Sequence, residues 1–269
     1  ANGIVWVRQF AYWDEIEPLS GTFNWDTWDR LTAAFARHNQ LRLIAVLMNS
    51  PSWARYDTEE IHTSPPADNA MFARFAGEFA KRYGNIIDHY QIWDEPNLRD
   101  AWGGLNPNPI DYASLLATTY GSIHSQDANA TVIAAALAPT TESGPQNINE
   151  LQYLRDLYAA GAKPYFDAVA GKPYGFNISP LDRTVDTSSL NFSRIVIMRE
   201  VMVEQGDGHK AVWAMNWGWN YLPEDWTGRD SIWGEVSLTQ QIQYTLQSLD
   251  RVEREWPWLA GMVIHHWQP

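Results

Sequence analysis

Seven short apolar runs alternate with longer runs of helical period. This pattern predicts an α/β fold with a parallel sheet, a TIM-type (β/α)8 barrel one unit short. Two further observations favour a barrel. Polar and aromatic residues gather just after each apolar run, as they do at the C-terminal mouth of a barrel. The rival doubly wound sheet wants a glycine-rich phosphate loop after its first strand, and Ala11-Tyr12-Trp13-Asp14 stand there instead.

The elements follow in order. Ile4–Phe10 is the first strand, and Pro18 and Gly21 mark the turn after it. Asp26–His38 carries Trp28, Leu31, Ala34 and Phe35 on one helical stripe. Leu41–Met48 is a buried strand. Asp68–Tyr83 is a helix with Asp68 as N-cap and Gly84 as its stop. Ile87–Trp93 is a strand, Tyr112–His124 a helix and Thr131–Leu137 a strand. Glu150–Ala160 is a helix ended by Gly161, and Phe166–Ala170 is a strand. Ser188–Glu204 reads as a helix and Ala211–Met215 as a strand. Ser237 to Gln240 form a capping box opening a helix to about Glu255, and Gly261–His266 is the last strand.

The chain has 269 residues with 19 Lys+Arg against 32 Asp+Glu, a net charge of −13. That balance argues against nucleic acid and anionic membrane surfaces as partners, since both need clustered cations. No apolar run approaches the roughly 18 residues of a membrane span. The absence of cysteine excludes disulfides, thiolate metal sites and cysteine nucleophiles. No linker or low-complexity stretch divides the chain, so 1–269 reads as a single domain. No cofactor is expected. His265 and His266 are adjacent on a strand and point to opposite faces, a poor arrangement for a shared metal. Most of the 15 tryptophans read as core filler, but flat rings are also what a pyranose stacks on.

The strand ends supply the candidate chemistry: Arg8 and Trp13, Trp53, Asp94 and Glu95, Lys172 and Tyr174, Asn216 and Trp219, and His266 and Trp267. Trp93-Asp94-Glu95-Pro96-Asn97 resembles the Trp-Asn-Glu-Pro-Asn signature of the clan A glycoside hydrolases, a group of barrels that includes β-xylosidases and cellulases. The resemblance extends along the chain. Arg8, Trp13, Glu17-Pro18 and Gly21-Thr22-Phe23-Asn24-Trp25 resemble the group's opening stretch, and Pro51-Ser52-Trp53-Ala54 its next strand end. Lys172-Pro173-Tyr174-Gly175 resembles a His-Pro-Tyr-Gly run, and Asn216-Trp217-Gly218-Trp219 the run that carries the nucleophile. Trp267 resembles the last-strand tryptophan beneath the sugar. In this alignment Ile4–Phe10 is the group's second strand, which implies a barrel lacking its first βα unit in this chain.

The resemblance implies hydrolysis of β-linked glycosides or polysaccharide, with Glu95 as general acid/base and an extracellular or cell-surface setting. In such retaining enzymes a second carboxylate about 5–5.5 Å away attacks the anomeric carbon. Asn216 holds that place, and an amide supplies no charge. Lys172 in place of histidine and Asp94 in place of asparagine are further departures. Three readings follow. Another carboxylate among Glu15, Glu224, Asp225, Asp230 and Glu235 reaches the mouth. Or a 2-acetamido group on the substrate attacks, oriented by Asp94 beside Glu95. Or the barrel is a pseudoenzyme that binds carbohydrate without turnover. Trp13, Trp53, Trp219, His266 and Trp267, with Arg8, Lys172 and Tyr174, are the expected substrate contacts.

Overall fold

The computed structural model describes residues 4–38, 40–56 and 61–265. Its sheet has seven parallel strands in chain order: β1 Trp6–Tyr12, β2 Arg42–Met48, β3 His89–Asp94, β4 Thr131–Leu137, β5 Ala168–Gly171, β6 Ala211–Trp217 and β7 Leu259–Ile264. Adjacent strands pair in sequence order, from Trp6 opposite Arg42 at one edge to Trp217 opposite Ile264 at the other. The sheet is curled. Trp6 of β1 lies 4.6 Å from His89 of β3 and 4.9 Å from Trp213 of β6, ring centre to ring centre, across the interior. Ile44, Ile133, Ala168 and Trp213 fill the same inner layer.

Helices wrap the outside: α1 Trp13–Ile16, α2 Asp26–Phe35, α3 Asn69–Tyr83, α4 Pro109–Gln126, α5 Glu150–Ala159, α6 Ile195–Glu204 and α7 Leu238–Glu255. Their starts follow the capping chemistry. Asp68 accepts from Ala70 N, Asn108 from Ile110 N, and Asn149 from Leu151 N. The Ser237–Gln240 capping box is formed from both sides. α6 starts seven residues later than its periodicity suggests. The guanidinium of Arg194 binds the carbonyls of Thr187 and Ser189 at 2.7 and 3.0 Å, the chain there is irregular, and Phe192–Arg194 form a 3-10 turn ahead of α6.

Among the described residues no hydrogen-bond ladder joins β1 to β7, which are the two edge strands although they approach one another. α7 follows β6 and presents an apolar stripe to solvent. Leu238, Ile242, Leu246 and Leu249 are between 44 and 63% exposed. Spacings of three and four put them on one helical face, while Ser248 and Arg251 face inward.

Candidate active site

The site is built where strands β3, β5 and β6 end, and Arg8 reaches it from within β1. Alternation along β1 turns Trp6, Arg8, Phe10 and Tyr12 to one face. The Arg8 guanidinium lies over the Phe10 ring, 4.7 Å from its centre, and Phe10 stacks on Tyr12 at 5.5 Å and 11°. Arg8 fans its donors to three other groups. Nε donates to Gln91 Oε1 at 3.1 Å, Nη2 to Asp94 Oδ1 at 2.6 Å, and Nη1 to Asn216 Oδ1 at 3.1 Å.

Lys172 follows β5 and is almost wholly buried. Its ammonium donates to Asp94 Oδ2 at 2.8 Å and to Glu95 Oε1 at 2.7 Å. Consecutive strand residues ordinarily face apart. Here Trp93 and Glu95 both have left-handed backbones, with φ of +67° and +51°, and this brings both carboxylates to one ammonium. Such conformations cost about 1–3 kcal/mol each and persist where surrounding structure enforces them. Trp93 is enforced by complete burial and by its indole N–H, which donates to Ala101 O at 2.9 Å. Gln91 adds bonds to Trp93 O and Asp94 Oδ1.

Two cations and two carboxylates thus balance in one cluster. Burial opposes the charge on Asp94, but Lys172 and Arg8 outweigh it and hold its carboxyl below the ordinary aspartate range. Burial likewise opposes the charge on Lys172, and Asp94 and Glu95 outweigh it and raise its pKa. Asn216 uses its other end to donate to the Tyr174 hydroxyl at 3.2 Å. Burial pushes the Tyr174 phenol up, against the lowering effects of Lys172 and that hydrogen bond. On the β1 side, burial, Glu15 and Asp94 all raise the Tyr12 phenol. Asn49 follows β2 with φ of +64°, its Oδ1 buried without a hydrogen-bond partner among the described residues.

Five of the expected site residues therefore join one network: Arg8, Asp94, Glu95, Lys172 and Asn216, with Tyr174 attached. Two expected sugar contacts lie inside the protein instead. Trp13 is fully buried, and its indole donates to Glu17 Oε2 at 2.7 Å. Glu17 in turn accepts from Arg74 and from Gly21 N, so the opening Trp-Glu-Gly pattern is a structural clamp. Trp219 is 6% exposed, and its indole donates to Ile178 O. A Cβ on Gly175 would fall 1.9 Å from the Trp219 ring, so the backbone there lies against the indole and leaves no room for a ligand on that side. Trp53 is half-buried, edge-on to Trp13, with its indole donating to Glu17 O. His266 and Trp267 lie outside the described residues. Asn97, the last residue of the signature, is buried and ties Ala138 to Ile148 through both ends of its amide.

The alternative carboxylates Glu15, Glu224, Asp225, Asp230 and Glu235 are all exposed. Among the described residues, no hydrogen bond or ion pair joins them to the cluster. No group of three or more metal-ligating side chains occurs among the described residues. No helix of the described residues is long and apolar enough to cross a membrane. Gln91 and Tyr12 were not among the expected site residues. Gln91 lies inside the β3 run, with apolar Ile92 and Trp93 after it, and no local pattern set it apart from the nearby Asp88 and His89; Tyr12 joined the site because β1 runs two residues further than its apolar run.

No protein-family model matches the chain, and no curated protein matches it in sequence. Solved structures match over nearly its whole length. A family 39 glycoside hydrolase from Bacteroides cellulosilyticus is 17% identical with a TM-score of 0.69, over 97% of this chain and 50% of the other. A monomeric β-xylosidase from Caulobacter crescentus is 17% identical with a TM-score of 0.67, over 98 and 54%. A triply substituted endo-β-1,4-glucanase from Xanthomonas axonopodis is 15% identical with a TM-score of 0.62, over 98 and 77%. The chain spans about half the length of the first two. It shares with these glycoside hydrolases the α/β-barrel fold, of which the described residues form seven parallel strands.

Proposed function

We propose that the barrel mouth is a carbohydrate site of glycoside-hydrolase type for β-linked glycosides or polysaccharide. Glu95 is its proton-transfer group, and the nucleophile half of the usual carboxylate pair is missing. The observation that carries this reading is the Glu95–Lys172–Asp94–Arg8–Asn216 network, which joins the ends of β3, β5 and β6 to Arg8 of β1. Glu95 is the more open of its two acids, with 28% side-chain exposure against 11% for Asp94. Its Oε2 makes no hydrogen bond among the described residues and is the oxygen open to a glycosidic partner.

Asn216 stands where the resemblance sets the attacking carboxylate. Its amide neither forms a glycosyl ester by the usual route nor offsets oxocarbenium charge, so double displacement is not open to this chain. Substrate-assisted attack finds little support in the geometry. The Asp94 oxygens are already taken by Arg8, Gln91 and Lys172. Binding without turnover is the second reading, favoured by Lys172 occupying Glu95 Oε1.

The test is turnover of a panel of aryl β-glycosides, including N-acetylhexosaminides, with calorimetry of the free sugars. Turnover lost in Glu95→Gln supports the acid/base role. Turnover indifferent to that substitution removes Glu95 from the chemistry. Binding without turnover selects the second reading, and neither binding nor turnover overturns both.

A further inference from the structure

The long loop between β6 and α7 carries a tryptophan that core packing does not account for. Trp233 is 46% exposed, and its indole N–H makes no hydrogen bond among the described residues. Its ring lies 5.8 Å from that of Tyr174, at 49°. Tyr174 is the residue whose hydroxyl accepts from Asn216. Trp233 is therefore separated from Asn216 by one side chain, and from Arg8 by two.

The loop is built to hold that ring in place. At its start, Gly218 bridges to Tyr174, and Gly175 N donates to Gly218 O at 2.9 Å. At its end, Val236 is buried and its N–H donates to Asn220 O at 2.9 Å. Next to Trp233, Gly234 has φ of +76°. A Cβ there would lie 3.0 Å from Asn177 N and 3.1 Å from Phe176 C. Both the conformation and the space demand glycine, and they press the loop onto the segment that carries Tyr174. Trp226, in the same loop and similarly exposed, turns its indole N–H to Arg229 O and caps its own turn.

We infer that Trp233 is the sugar-stacking residue of this mouth, offering a ring face to the C–H face of a pyranose unit beside Asn216 and Glu95. This rests on the carbohydrate reading above and names the residue that would bind the sugar. A flat ring with an indole donor at its edge, backed on one side by Tyr174, suits a ligand with an apolar face and hydroxyls at its rim. Neighbouring Tyr174 supplies the second polar contact.

The test is titration calorimetry with xylotetraose and cellotetraose on the wild type, Trp233→Ala, Trp233→Leu and Trp226→Ala, with thermal melting alongside. Loss of the stacking face weakens binding on the order of ten-fold or more in both Trp233 variants, while Trp226→Ala binds as the wild type does. Should Trp233→Ala fail to fold, Trp233→Leu, which keeps apolar bulk and removes the flat face, carries the comparison. If the wild type binds and both folded Trp233 variants match it, this inference is overturned and the carbohydrate reading stands. If the wild type binds neither oligosaccharide nor any glycoside of the panel, the carbohydrate reading fails and takes this inference with it.

Discussion

Arg8 and Asn216 face each other across the barrel mouth, the guanidinium Nη1 donating to the amide Oδ1 at 3.1 Å. A carboxylate at position 216 would meet the same guanidinium as an ion pair and be oriented by it. Tyr174, which now accepts from the amide, would turn its hydroxyl round to donate. On the proposed reading, Asn216→Glu should supply the missing nucleophile beside a guanidinium that can orient it. Turnover of aryl β-glycosides should rise by about 10² or more, since loss of a nucleophile costs orders of magnitude. A variant that folds, binds sugar and remains inert would show that position 216 is not the nucleophile site.

Asp94 lies between Arg8 and Lys172, so Asp94→Asn leaves two buried cations sharing one partly exposed carboxylate. Breaking such a pair costs about 3–5 kcal/mol at neutral pH. The pH dependence follows from the lowered Asp94 pKa. Its contribution is complete above the unfolded value of about 3.9 and is lost as pH falls through the lower folded value. Urea unfolding at pH 7 and at about pH 3 should show the gap between wild type and variant closing in acid. A constant gap would remove charge from the explanation.

The ammonium of Lys172 works in the opposite sense. Its pKa is raised, so its contribution is present below the unfolded value of about 10.4 and is lost as pH climbs through the folded value. Lys172→Met is expected to destabilise by about 3–5 kcal/mol at pH 7, because two adjacent carboxylates lose their shared cation. Chemical denaturation across the alkaline range should show the wild-type advantage persisting to about pH 10 and shrinking above it.

The exposed stripe of α7 makes a separate prediction. Leu238, Ile242, Leu246 and Leu249 expose apolar side chains along one face of α7, an arrangement that invites association. Protein spanning Ala1–Pro269 should self-associate in sedimentation velocity. Ile242→Glu combined with Leu246→Lys should lower that association while changing stability by no more than about 0.5 kcal/mol each, as exposed substitutions do. A large loss of stability would mean that the stripe is covered within the folded chain.

Much of this was legible in the sequence because it rests on local rules. β4 has the bounds its apolar run marks, and Ser237 with Gln240 fixes the start of α7. Arg8, Glu95, Lys172 and Asn216 could be gathered at one mouth because parallel strands present all their C-terminal ends together. The tryptophans were harder. Whether a strand-end ring faces a cleft or the core depends on its indole partner across long sequence separation, such as Ile178 O for Trp219. Trp233 carried no periodic signal, because its place is set by a glycine pressed against another loop. The Ser188–Arg194 stretch reads as helix, but a buried guanidinium collects the Thr187 and Ser189 carbonyls, and only Phe192–Arg194 form a 3-10 turn ahead of α6.

The left-handed turn at Trp93 has a consequence for how this barrel can change. Strand alternation allots one residue to the interior and the next to the outside, so a parallel strand ordinarily delivers a single acid to the mouth. Reversing the backbone hand at Trp93, and again at Glu95, lets two consecutive positions address the same ammonium. The second acid arises from a local deformation and needs no extra strand or longer loop. Its cost is borne by a fully buried tryptophan whose own side chain takes no part in the charge cluster. New polar groups can thus be recruited to an old mouth by altering the path of the chain, with the number of residues along the strand unchanged.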